Sequence, residues 1–187
     1  MPDIDESQLI DASLQGNSSA FGQLVQIHQN RLFNAMAHFC GNAAEAEDVV
    51  QEAFVQAYLK LANFQQNSQF YTWLYRIASN TAISRKRRKR VESSVDKNRE
   101  HAGLEPVDEG EAPGDRMMRD EQAVQVHKAL ATLSEEHRSI LVLREMDGCD
   151  YEQIAEILGI NVGTVRSRLH RARMQMRERL QELEGSL

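Results

Sequence analysis

The residues best suited to binding chemistry in this sequence are arginines close to its C-terminal end. Six arginines lie between Asn161 and Arg179 against one acid, Glu178, so this stretch has a net charge of +5 in a chain whose net charge is −6. A guanidinium group binds phosphate as a permanent cation and can form two parallel hydrogen bonds with guanine. The stretch therefore favours a DNA-binding helix, and the alternative is an ordinary arginine-rich surface helix.

Two short helical patterns position these arginines. Gly159 tolerates the left-handed conformation at the end of the first helix, and Asn161 is a favourable N-cap for the second. Together they predict a helix-turn-helix over residues 151–173, with the second helix in the DNA major groove. The apolar residues that recur on one face are Ile154, Ala155 and Leu158 in the first helix and Val162, Val165, Leu169, Ala172 and Met176 in the second.

The rotation of about 100° per residue separates the faces of the second helix. Ser167 points away from the apolar stripe, and His170 and Arg171 lie within roughly 60° of that direction. Arg171 is the first candidate for bidentate recognition of guanine, while Arg173 on the flank is expected to contact phosphate. The predicted DNA-binding residues of this helix are Gly163, Thr164, Arg166, Ser167, Arg168, His170, Arg171 and Arg173.

A second candidate nucleic-acid surface lies in the first half of the chain, over residues 70–88. Aromatic rings can stack on unpaired bases while cations follow the phosphates, which is what single-stranded nucleic acid requires. The alternative, that these rings simply form the core, stays open. The residues of this helix that can pack inward are Trp73, Leu74, Ile77, Ala78 and Ala82. The residues that remain for a nucleic-acid surface are Phe70, Tyr71, Tyr75, Arg76, Asn80 and Ser84.

Two charged segments follow this helix. Residues 85–90 are six consecutive cations, which favour phosphate binding over a merely solvated run. Residues 100–115 contain six acids and no Lys or Arg, together with Pro106, Pro113 and three glycines. This acidic segment predicts an extended linker between two domains.

Composition limits the class of protein. Aromatic residues make up 6% of the chain and prolines number three, which favours an all-α fold of two small helical domains. The first residues are acidic and polar, unlike the basic and apolar start of a signal peptide. Two cysteines are too few for a disulfide framework. We therefore expect a cytoplasmic protein. We find no sequence motif for a catalytic or metal site.

Three stretches together resemble the bacterial extracytoplasmic-function sigma factors. They are AEDVVQEAFVQAY at residues 46–58, FYTWLYRIASNTAISRKRR at 70–88, and DYEQIAEILGINVGTVRSRLHRAR at 150–173. ALATLSEEHRSILVLRE at residues 129–145 also resembles the start of the family's C-terminal domain. The likeness extends from about Gln8 to Glu182.

The resemblance implies a promoter-specificity subunit that binds core RNA polymerase and promoter DNA, without a cofactor. It implies a domain over residues 7–90 that binds polymerase and the minus-ten element, a linker over 91–115, and a domain over 116–184 that reads the minus-thirty-five element. An anti-sigma factor is a further partner that the family admits. The loop at 63–69 departs from the family pattern, with QQNSQ where many relatives carry Gly followed by an acid, so no minus-ten sequence is implied.

The resemblance also assigns residues. The predicted polymerase contacts are Asp48, Gln51, Glu52 and Val55. The predicted minus-ten residues are Asn63, Phe64, Asn67, Ser68, Phe70, Tyr71, Trp73, Arg76, Asn80, Arg85, Lys86, Arg87 and Arg88. For Arg166 the family indicates a base contact, whereas its angle on the helix favours phosphate.

Two other classes of protein compete with this interpretation. A stand-alone helix-turn-helix regulator would usually dimerise on a palindromic site, and it would leave the aromatic helix and the basic run unexplained. An enzyme acting on nucleic acid would need paired carboxylates or metal ligands, and the sequence offers none at a usable spacing.

Overall fold

The computed structural model describes the backbone of residues 5–93 and 113–184 and the side chains of residues 5–89 and 123–183. These residues form eight α-helices and no strand, which confirms the predicted all-α fold. The helices are α1 (Glu6–Leu14), α2 (Ser18–Cys40), α3 (Ala43–Lys60), α4 (Phe70–Ser93), α5 (Pro113–Thr132), α6 (Glu135–Leu141), α7 (Tyr151–Leu158) and α8 (Val162–Glu184). None of the helices described is long and apolar enough to cross a membrane.

Helices α1–α4 form the N-terminal domain, in which α2, α3 and α4 pack on one another and α1 packs on α2. Along α2, Leu24, Leu32 and Met36 are fully buried because residues four or eight apart share one face of a helix. Asn42 begins α3 by accepting a hydrogen bond from the Glu45 amide at 2.7 Å. A 3-10 turn, Leu61–Asn63, then leads into the loop before α4.

Helices α5–α8 form the C-terminal domain, whose core includes Ile140, Leu143, Ile154 and Leu169. Ser134 caps α6, and a π-helical turn, Val142–Met146, continues it. The backbone then reverses at Gly148, whose φ of 71° suits a residue without a Cβ.

The ends of the predicted linker are helical. Helix α4 continues to Ser93, three residues beyond the predicted end of the first domain, and α5 begins at Pro113 inside the acidic segment. Proline is well tolerated at a first helical position because its missing N–H would have no intrahelical partner there. The rest of the predicted linker, residues 94–112, lies outside the described residues.

The two domains touch: α2 packs against α5 and the π-helical turn, and α4 packs against α7. His38 of α2 and His127 of α5 stack with ring centroids 5.0 Å apart. Burial lowers the pKa of both imidazoles, and the pKa of His38 is lowered further by His127. The pair is therefore suited to stacking as two neutral rings.

Arg138 of α6 joins three helices through main-chain oxygens. Its guanidinium donates to the carbonyl oxygens of Leu130 and Ala131, each at 2.8 Å, and of Leu133 at 3.2 Å. It also donates to the Phe39 carbonyl at 3.2 Å, near the end of α2. Carbonyls at helix C-termini lack intrahelical partners and carry partial negative charge. They compensate the buried guanidinium, even though burial lowers the pKa of Arg138.

Replacing this side chain tests its structural role. Arg138→Ala should lower the free energy of unfolding by on the order of 3 kcal/mol, because buried carbonyl oxygens would lose a charged donor. Urea unfolding followed by circular dichroism measures the change. Arg177→Ala, at an exposed arginine of α8, is the control and should shift stability by less than about 0.5 kcal/mol. Equal losses in both variants would contradict the role given to Arg138.

Candidate nucleic-acid interfaces

The helix-turn-helix is built as its sequence predicts. Gly159 ends α7 with a φ of 65°, and the Asn161 side chain accepts from the Thr164 amide at 2.7 Å at the start of α8. Val165, Leu169 and Ala172 are buried against the rest of the C-terminal domain. Local turn chemistry and one apolar stripe therefore fix which face of α8 remains outside.

The outer face of α8 presents the predicted DNA-binding residues to solvent. Ser167, His170 and Arg171 are exposed opposite the buried stripe. Of the remaining predicted residues, Gly163, Arg166 and Arg173 are exposed, while Thr164 and Arg168 are half-buried. Ser167, His170 and Arg171 thus lie on the outward face, with Arg168 and Arg173 on its two opposite flanks.

Two flanking arginines of α8 are paired with acids of their own domain. Arg168 lies 3.3 Å from Glu136, and Arg173 donates to Glu145 Oε1 from Nε at 2.9 Å and from Nη2 at 2.6 Å. The hydrogen bond with Glu145 raises the pKa of Arg173. Among the described residues no carboxylate pairs with Arg171.

The aromatic residues of the N-terminal domain lie deeper than predicted for a DNA-binding surface. Phe64 and Phe70 stack edge-on with centroids 5.7 Å apart, and Trp73 lies 5.1 Å from Phe64. Phe70 is 1% exposed and Phe64 is also buried. Phe70 therefore packs in the core instead of remaining outside it as expected, and the minus-ten role of both phenylalanines stays a prediction. Trp73 is half-buried, and Tyr71 is buried against the C-terminal domain.

Polar members of the predicted minus-ten set are on the surface. Asn63, Asn67, Arg76 and Asn80 are exposed, and Ser68 is half-buried. Between them, Gln66 has a φ of 54° and is held by α1: it donates to Asp11 Oδ1 at 3.0 Å, while the Ser7 hydroxyl donates to Gln66 Oε1 at 3.1 Å. Helix α1 therefore holds this loop through two side-chain hydrogen bonds to Gln66.

The basic run lies on the last turns of α4 and is partly paired within the chain. Arg85 binds Asp48 and Glu52 of α3, and Lys86 lies 3.6 Å from Glu135. Lys89 lies 3.2 Å from Glu45, and Arg87 and Arg88 are exposed.

The predicted polymerase contacts lie on the outer side of α3. Asp48, Gln51 and Val55 are exposed and Glu52 is half-buried. Val55 is 60% exposed and Leu59, one turn further, is 75% exposed. An apolar patch flanked by acids on one helix is typical of a protein-binding surface.

Comparison with known proteins decides the family. The sigma-70 region 2 family matches residues 24–92, and the sigma-70 region 4 family matches residues 123–176. The sigma-H factor of Pseudomonas aeruginosa RNA polymerase is 40% identical over 183 residues, which cover 95% of each chain. The extracytoplasmic-function sigma factor SigW of Bacillus subtilis is 36% identical over 90% of this chain and 93% of its own. The chain belongs to the extracytoplasmic-function group of the sigma-70 family.

Two solved structures share the arrangement of helices. CnrH, in complex with the cytosolic domain of CnrY, superposes with a TM-score of 0.71 at 29% identity, covering 96% of this chain and 99% of CnrH. RpoE of Bartonella quintana, in complex with the anti-sigma factor NepR, gives a TM-score of 0.69 at 29% identity, covering 86% of this chain and 96% of RpoE. A stand-alone regulator would not require the region 2 match, so that alternative is not favoured.

This sigma factor binds core RNA polymerase and directs promoter recognition, DNA melting and transcription initiation. Its structure adds residues that sequence reasoning did not single out. Arg31 and Asp147 meet across the domain contact, and Arg138 is buried beneath it. Asp147 precedes Gly148, a pair of residues typical of a turn. The local sequence therefore predicts the end of a helix at Asp147 and does not indicate its contact with Arg31.

Proposed function

We propose that the sigma factor reads the minus-thirty-five element with the exposed face of α8. The observation that carries this proposal is the row of Ser167, His170 and Arg171 directly opposite the buried stripe of Val165 and Leu169. Arg171 is long enough and charged enough to form two hydrogen bonds with a guanine edge. Ser167 and His170 are supporting base contacts, while Gly163 and Thr164 allow the start of the helix to approach the DNA.

The flanking arginines of α8 position the helix rather than specify sequence. Arg168 and Arg173 hold acids of their own domain, so phosphate contact requires an exchange of ion-pair partners. Exposed pairs of this kind contribute about 1 kcal/mol or less, which makes the exchange inexpensive. Arg166 lies 6.0 Å from the Tyr151 ring and belongs with the phosphate contacts by its angle on the helix.

In the N-terminal domain, exposed polar side chains make the first contacts with the minus-ten element. Three of these side chains, Asn63, Asn67 and Ser68, lie on or beside the loop before α4. The other two, Arg76 and Asn80, lie on the exposed side of α4. Trp73 and, once the domains separate, Tyr71 would join them as stacking partners, while Arg85, Lys86, Arg87 and Arg88 would follow the phosphates.

Polymerase binds α3 through Asp48, Gln51, Glu52 and Val55, with Leu59 extending the apolar patch. The protein acts by binding and positioning, with no catalytic step of its own, and works in the cytoplasm, where polymerase meets the chromosome. Its structural relatives CnrH and RpoE were solved with CnrY and NepR, so we include an anti-sigma factor among its partners.

Dependence on polymerase tests the proposed function. Run-off transcription with core enzyme on a randomised promoter library should enrich templates with fixed minus-ten and minus-thirty-five sequences. A gel-shift comparison should show specific promoter binding with core enzyme and only weak binding by the free protein, because polymerase fixes the spacing of the two domains. Equal, specific binding without core enzyme would instead favour a stand-alone regulator.

The assignment of α8 predicts two different defects. Arg171→Ala should cost about 1–3 kcal/mol of binding and relax preference at one base pair. Arg173→Ala should weaken all sequences alike and lower the salt slope by about one unit. Holoenzyme binding to every single-base variant of the minus-thirty-five element, at several salt concentrations, separates them. Arg179→Ala, further along the same helix, is the control. The opposite result would be a changed base preference in Arg173→Ala and only a changed salt slope in Arg171→Ala. It would mean that the orientation proposed for α8 in the groove is wrong.

The minus-ten surface predicts a defect in strand opening. Asn80 is exposed, so Asn80→Ala should keep the helix content and stability of the protein while reducing open-complex formation by holoenzyme. Permanganate footprinting of unpaired thymines measures that opening. Trp73→Ala is a poor probe because Trp73 packs with Phe64 and Phe70. Normal opening by a folded Asn80→Ala protein would remove Asn80 from this surface.

A further inference from the structure

The contact between the two domains covers a residue of the minus-ten surface. Tyr71 of α4 is 4% exposed, and its hydroxyl donates to Asp147 Oδ1 at 3.0 Å. Asp147 follows the π-helical turn and belongs to the C-terminal domain. A ring that would stack on an unpaired base is therefore occupied by the domain that carries the recognition helix.

Asp147 obtains its hydrogen-bond donors from both domains. Its side chain is 3% exposed. Arg31 of α2 donates to Oδ1 from Nε at 2.9 Å and to Oδ2 from Nη2 at 3.3 Å. The Cys149 thiol, whose pKa burial raises to about 12, donates to Oδ2 at 3.2 Å. A buried carboxylate is stable only when its oxygens have such partners, and Arg31 and Tyr71 become available only when the domains meet.

The two N-terminal partners of Asp147 also hold each other. The Arg31 guanidinium lies 3.9 Å from the centroid of the Tyr71 ring, in a cation–π contact. Nearby, Gln153 of α7 donates to Gln69 at 3.1 Å. The contact is thus a network rather than one ion pair, and breaking it would leave the Asp147 carboxylate short of donors.

The closed arrangement is incompatible with simultaneous reading of both promoter elements. Elements centred about 25 base pairs apart are separated by roughly 85 Å along B-DNA at about 3.4 Å per base pair. Helix α8, with 23 residues, is only about 35 Å long at 1.5 Å per residue, and its domain is bonded directly to α4 through Tyr71. The domains must separate before both surfaces reach their elements.

We propose that Arg31, Tyr71 and Asp147 form a latch that keeps the free sigma factor closed, with Tyr71 covered, until RNA polymerase binds. The covering role rests on the proposed function of Tyr71. The α3 surface is accessible in the closed form, since Val55 and Leu59 stay exposed. Polymerase can therefore dock on the closed chain, and it opens the latch to the extent that it binds the open form more tightly.

A double-mutant cycle on the full chain tests the latch. Arg31→Gln and Asp147→Asn each remove the charge pairing from one side, and Glu156→Gln removes an exposed carboxylate of α7 as the control. Small-angle scattering of the free protein should give wild type and Glu156→Gln a radius of gyration near the roughly 16 Å of a compact chain of this length. Each latch variant should be larger, and the double variant no larger than the larger single variant, because both changes break one contact.

A second measurement is the binding of single-stranded DNA to the surface that includes Tyr71. The free latch variants should bind a labelled minus-ten non-template strand about tenfold more tightly than wild type, since breaking charged hydrogen bonds shifts the closed form toward the open one by about that factor or more. Circular dichroism checks folding. The Arg31 side chain is 44% exposed, so Arg31→Gln keeps the test available if Asp147→Asn disturbs the C-terminal domain.

Specific outcomes would overturn the latch: an extended wild-type protein, unchanged dimensions in folded latch variants, or effects of the two changes that simply add. Opening without tighter strand binding would overturn its covering role. Failure of the proposed function has another signature, because wild-type holoenzyme would then fail to open promoter DNA. The scattering experiment contains neither DNA nor polymerase and is independent of that result.

Discussion

The contact between the ends of α2 and α5 is organised around one buried cation, the guanidinium of Arg138. Helices α2 and α5 both end beside α6, and each helix end presents carbonyl oxygens that have no partner within the helix. Arg138 donates to Phe39 at the end of α2 and to Leu130, Ala131 and Leu133 at the end of α5. The partial negative charge of both helix ends favours a cation there. The ends of α2 and α5 consequently meet at a polar contact, in which one guanidinium serves carbonyl oxygens of both domains.

The remaining surfaces follow from a limit on what one helix can bury. Helix α8 buries Val165, Leu169 and Ala172, so the residues between them must face outward. Helix α3 buries Val49 and Ala53 in the same way, and Val55 and Leu59 are left exposed on the opposite side. Val55 and Leu59 lie one turn apart, so together they form a small apolar patch on the outside of α3.

The same limit explains what could be predicted from the sequence. The position and orientation of α8 could be predicted because Gly159, Asn161 and the apolar stripe lie within one helix and its turn. The depth of Phe70 could not, since a ring at that position has the same helical spacing whether it faces a core or a DNA base. The meeting of Arg31 and Asp147 joins residues 116 positions apart, and no local pattern carries such information. The DNA and polymerase roles of single residues stay predictions, because the fold gives their exposure and pairing but not their partners.

Charge pairing links the polymerase surface to the DNA surface. Arg85 of the basic run binds Asp48 and Glu52, the two acids assigned to polymerase contact. While these pairs persist, Arg85 is partly neutralised and attracts DNA phosphate less strongly. Arg85 and Glu52 are half-buried and Asp48 is exposed, so a partner that engages the acids competes with Arg85 for them. On this assignment, polymerase binding at α3 releases a cation at the end of α4 for the promoter.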